Sequence, residues 1–273
     1  MATIEEQATS EIVKKYKAYC AEIFESYEDY CFQEFYLPLI HKKIKTNDLP
    51  IMDFEVMHSN KKYPFIKNKL YGVISRQERR VIGERTLLTA VAATEDFLQK
   101  IVFRIYRDFE NKLETVNEAN EQQAKILKII IDSSDKQEII NRLSEEKIRG
   151  IFYGNPVDFF RKDKARIGYG KYFAENYEVA LKQYAEIIAR RNIITHNNGK
   201  VDRKYLREIP ETTFKLSEKI KIDKQYLKES IILLHGISTL VMQQAIVINY
   251  KKNLKREKVK DYISYFETKY KGK

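Results

Sequence analysis

The stretch Ala189-Arg190-Arg191-Asn192-Ile193-Ile194-Thr195-His196-Asn197-Asn198-Gly199-Lys200-Val201-Asp202 decides how this chain is read. Its first half closes an amphipathic helix that begins near residue 171. Its second half holds Asn197-Asn198-Gly199, residues that readily take the left-handed conformation that stops a helix. Working outward, the same helical grammar recurs. Over 5–37, Val13, Tyr16, Cys20, Ile23, Tyr27 and Tyr30 alternate steps of three and four, an apolar seam that packs on its own domain or against a second chain. Over 84–113, Leu88, Val91, Leu98, Val102 and Ile105 form a stripe, and Glu95 falls inside it. Asp223 opens a long helix to residue 250, and Ser134 or Asp135 caps a shorter one. Leu254, Tyr262, Ile263 and Phe266 space a last helix.

Composition agrees. Of 273 residues, 43% are hydrophobic, and only 9 are glycine and 5 proline, too few turn formers for a sandwich or barrel. The expected class is all-α. Three segments are expected: an N-terminal helical extension at 1–75, a helical core at 76–250 and a basic C-terminal segment at 251–273. Pro38, Pro50 and Pro64 punctuate a poorly periodic connection up to residue 75, and Tyr153-Gly154-Asn155-Pro156 reads as a turn.

Charge narrows the partners. Fifty Lys and Arg oppose 39 Asp and Glu, a net of +11. Residues 1–75 carry 10 basic and 11 acidic side chains, whereas 251–273 carry 9 and 3. Such a surface attracts polyanions by phosphate neutralisation, which favours nucleic acid as partner, with an anionic membrane surface second; a solvated basic surface is the bland alternative. Residues 231–248 reach membrane length, but His235, Gln243 and Gln244 fit a buried core helix better, so no membrane partner is expected. Cys20 and Cys31 are roughly 16 Å apart on one helix, too far to bridge, and fit reduced packing residues in the cytoplasm. The N-terminal residues lack a signal peptide's basic and apolar regions.

The chemistry sits in the opening segment. Arg191 is a permanent cation whose planar fork fits phosphate oxygens, and His196 exchanges a proton near neutral pH. Together they can cleave RNA without a metal: the imidazole moves a proton during 2′-hydroxyl attack, and the guanidinium stabilises charge at phosphorus. Equally, Arg191 can pair with a carboxylate and His196 can cap its own helix end. Five residues of helix turn the two side chains about 140° apart, so a two-fold dimer is one way to bring them to one substrate. Glu95 either orients Arg191 or His196, or forms an ion pair with Arg190 or another helix. His41 and His58 lie outside the core, and His235 reads as a satisfied core histidine. Gly168-Tyr169-Gly170-Lys171 lacks the ending and preceding strand of a phosphate loop, and no metal or cofactor constellation is apparent.

Arg191-Asn192-Ile193-Ile194-Thr195-His196-Asn197-Asn198-Gly199 resembles the arginine–polar–x3–histidine signature of the HEPN superfamily, most closely its bacterial toxin and abortive-infection branch. Val201-Asp202 and Tyr205-Leu206 match the segment that often follows. The strong likeness covers 184–206, with a looser match of helix order over 80–250; residues 1–75 lie outside it. The resemblance implies an up-and-down helical bundle, here with an extra N-terminal helical region and a basic C-terminal helix. It implies a metal-independent endoribonuclease, a homodimer with a composite site, acting on RNA as the toxic effector of an antiphage-defence or toxin–antitoxin system. An antitoxin or sensor protein would be a further partner. Arg191 and His196 would be catalytic, Asn192 would orient them or hold the phosphate, and Glu95 would be secondary. One subtype carries a modifiable tyrosine two residues after the histidine; here that position is Asn198. Some members of the superfamily are non-catalytic scaffolds, so a helical module binding nucleic acid or a partner protein is the alternative.

Overall fold

A computed structural model of the chain describes residues 3–46, 53–55, 62–64, 67–113, 120–152, 155–254 and 257–272. Its elements in order are α1 (Ile4–Lys45), β1 (Asp53–Glu55), β2 (Lys62–Pro64), α2 (Lys67–Arg76), α3 (Ile82–Asp108), α4 (Asn120–Asp132), α5 (Lys136–Phe152), α6 (Asp158–Arg161), α7 (Tyr172–Asn176), α8 (Glu178–Asn197), α9 (Arg203–Glu208), α10 (Lys224–Tyr250) and α11 (Glu257–Tyr270). A π-helical turn, Gln77–Val81, joins α2 to α3, and a 3₁₀ turn, Glu110–Leu113, follows α3. Among the described residues the fold is all-α apart from the short antiparallel pair β1–β2, which sets Phe54 opposite Tyr63.

Helices α3 and α10 form the centre. Helix α1 lies along both, α8 touches both, α5 packs on α3 and α11 on α10. The expected seam of α1 faces inward: Val13, Tyr16, Ile23 and Tyr30 are buried, and Cys20 and Tyr27 pack against the same core. That settles the seam as intramolecular. The three sequence segments therefore share one core, since Ile12 and Ile23 from the first and Val259 and Phe266 from the last belong to a single buried cluster.

Caps set the helix ends. Thr3 and Glu6 form a reciprocal capping box at the start of α1. Asp135 Oδ1 accepts the Glu138 N–H at 2.8 Å ahead of α5, and Asp223 Oδ1 accepts the Tyr226 N–H at 2.8 Å ahead of α10. Helix α10 is long and apolar enough to span a membrane, but 72% of its most apolar window is buried inside the fold. Gly236 lets α11 approach it, because a Cβ there would lie 2.1 Å from the Phe266 ring. Cys20 and Cys31 are free thiols, both half-buried.

Three boundaries differ from expectation. Helix α1 runs through Pro38 to Lys45 instead of stopping at residue 37, because Ile44 is buried and His41 engages Glu78 beyond the missing N–H. The expected helix at 171–196 breaks at Tyr177, whose ring is buried against Phe266 and whose hydroxyl donates to Glu267 at 2.9 Å. The expected helix at 84–113 begins earlier, after the π-helical turn, and ends at Asp108. Pro50, Tyr153 and Gly154 lie outside the described residues.

Candidate active site

Helix α8 ends as its sequence dictates. Asn198 takes the left-handed conformation (φ 51°, ψ 37°), Gly199 follows at φ 73°, and the Gly199 N–H returns to the Ile193 carbonyl at 2.9 Å. The chain then folds back: the Val201 N–H donates to the Glu218 carbonyl at 2.9 Å and the Ser217 N–H to the Val201 carbonyl at 2.8 Å, an isolated bridge pairs Lys200 with Lys219, and Asp202 Oδ1 caps α9 through the Tyr205 N–H at 2.7 Å. Val201 and Tyr205 are buried. The segment after the motif thus fastens the loop to α8.

Three motif side chains leave α8 in different directions. Arg191 points to α3 and forms an ion pair with Glu95. Its side chain remains 27% exposed, while its Nε is buried without a hydrogen-bond partner. Burial pushes the Glu95 carboxyl above the usual range, and the Arg191 charge works against that shift. Of the arrangements open to Glu95, the structure shows pairing with Arg191. Arg190 pairs instead with Glu186, and its guanidinium lies 3.8 Å from the centre of the Tyr226 ring.

His196 is exposed on the last turn and makes no hydrogen bond among the described residues. No hydrogen bond joins it to Arg191, as the helix geometry requires. Asn192, four residues earlier and on the same face as His196, lines a cleft of about 810 Å³ between α8, the start of α6 and the loop after α9.

The π-helical turn brings side chains that sequence reading missed. Arg80 Nη1 donates to Asn198 Oδ1 at 2.7 Å and approaches Glu84 at 3.8 Å. Glu84 Oε1 is buried without a partner, and burial raises that carboxyl while Arg80 and Lys219 oppose the rise. Glu78 accepts from His41 Nδ1 at 3.1 Å. An insertion of one residue into a helix leaves no composition or spacing signal, so this grouping was not legible.

The remaining histidines sort cleanly. His235 is buried, with its Nε2 3.0 Å from the Tyr16 hydroxyl, and burial pushes its pKa down to about 4. It is a satisfied core residue. His58 lies outside the described residues. Among the described residues no group of three or more His, Cys, Asp or Glu side chains is placed to hold a metal ion. No protein family, curated protein or solved structure matches the chain.

Proposed function

We propose that this chain is a metal-independent endoribonuclease of the HEPN type. One observation carries the reading: the arginine–asparagine–x3–histidine motif closes α8 at a solvent-facing end, with His196 exposed and Arg191 tethered on one side only. The net charge of +11 supplies the attraction for RNA.

In this mechanism His196 takes the proton of a ribose 2′-hydroxyl as O2′ attacks phosphorus. Arg191 stabilises the charge on the non-bridging oxygens, and Glu95 positions the guanidinium. The P–O5′ bond breaks and the departing oxygen receives a proton, leaving a 2′,3′-cyclic phosphate and a 5′-hydroxyl. Because Arg191 and His196 diverge on one helix, a homodimer that apposes two α8 ends supplies both groups to one linkage. The cellular role that fits is a toxic effector in antiphage defence or a toxin–antitoxin pair.

The test is a chimeric RNA carrying a single 2′-deoxynucleotide 5′ of a mapped cut. Cleavage there should stop while neighbouring cuts persist, and the remaining products should carry cyclic-phosphate ends. Cutting at the deoxy position would overturn the mechanism. The Glu95 ion pair favours a second reading, a non-catalytic module in which Arg191 is structural. It predicts salt-sensitive RNA binding with no cleavage.

A further inference from the structure

The cleft beside the motif ends at Asn192, one helical turn before His196. Ala185, Ile188, Ala189 and Asn192 line it at three- and four-residue steps, and His196 continues that face of α8 by one more turn. The opposite wall is the loop after α9, where Phe214 presents a ring whose centre lies 5.1 Å from the Arg190 guanidinium. The cleft volume of about 810 Å³ falls within the roughly 300–1,000 Å³ typical of sites for small organic groups.

The lining says which part of a nucleic acid fits. Its four cations each face a carboxylate: Arg161 meets Glu178, Lys182 meets Glu211 at 3.3 Å, Arg190 meets Glu186, and Lys204 meets Glu208 at 3.9 Å. A run of phosphates gains little from such a surface. The lining also offers the amides of Gln183 and Asn192, the hydroxyl of Thr213 and the Phe214 ring, while the Thr212 hydroxyl already accepts the Phe214 N–H at 3.3 Å. Amides offer donors and acceptors to base edges, and an aromatic ring stacks on a base.

We infer that this cleft seats one unpaired RNA base next to the linkage that His196 attacks, and so sets which sequence is cut. The inference rests on the ribonuclease reading and adds the choice of substrate to it. Gln183 and Thr213 are exposed, so replacing either leaves the core intact.

The experiment has two arms on the full chain. In the His196→Ala background, calorimetric titration with the four homotrinucleotides should show one base bound at least tenfold tighter, and Thr213→Trp should abolish that preference by filling the cleft. In the His196 background, mapped cut sites should lose their base preference in Gln183→Ala and in Thr213→Trp, read as the ratio of cuts at the four bases within each digest. Equal binding of all four trinucleotides overturns the inference, as does an unchanged cut pattern in both variants; either result leaves the ribonuclease reading standing if the wild type cleaves. Absence of cleavage by the wild type overturns that reading and the inference with it.

Discussion

Adjacent arginines on α8 occupy opposite kinds of environment. Arg190 sits in a cage at the wall of the cleft: Glu186 pairs with it, Tyr226 and Phe214 stack on it, and the Tyr205 and Tyr226 hydroxyls donate to the same carboxylate at 2.9 and 2.7 Å. Arg191 has one carboxylate, an unpartnered Nε and a side chain 27% exposed. A buried charge is tolerated when every neighbour answers it, so Arg190 reads as structure. A half-answered guanidinium at a helix end keeps bonding capacity for a ligand. The neighbouring positions thus divide between holding the fold and meeting a substrate.

The largest effect should come from emptying the cage. Arg190→Ala leaves the half-buried Glu186 without its cation and should cost about 4 kcal/mol in urea unfolding. A loss below about 1 kcal/mol would contradict the structural role.

The buried and exposed histidines extend the contrast. His235 stays neutral in the fold, with a pKa of about 4 against 6.5 for an exposed ring. The unfolded chain therefore takes up a proton first as pH falls, and stability should drop between about pH 6.5 and 4, by up to about 3 kcal/mol, then level off. His235→Leu should flatten this profile, because Tyr16 keeps Thr239 at 2.8 Å as a partner. An unchanged slope would show that other groups set it.

Arg191→Ala should cost least, about 1 kcal/mol, because the pair with Glu95 is part-exposed. A loss matching that of Arg190→Ala would move Arg191 to the structural side of the comparison.

Much of this was legible in the sequence. Asp223, Asp135 and Asn198-Gly199 mark helix ends because capping depends on local side chains. The α1 seam and the Glu95 position follow from periodicity, and His235 was readable as core from its apolar neighbours. What escaped depends on contacts made far along the chain. Pro38 is tolerated because Ile44 and His41 hold the helix beyond it. Arg80 reaches Asn198 only because a π-helical turn re-aims it. The cleft needs the loop after α9 to fold back onto α8, and its glutamine and threonines carry no spacing signal.

The most direct measurement is RNA cleavage in EDTA by three purified, equally folded proteins: wild type, Arg191→Ala and His196→Ala. The account predicts that the wild type cleaves and that each variant is slowed at least a hundredfold. Equal cleavage by all three, or none by the wild type, would contradict it.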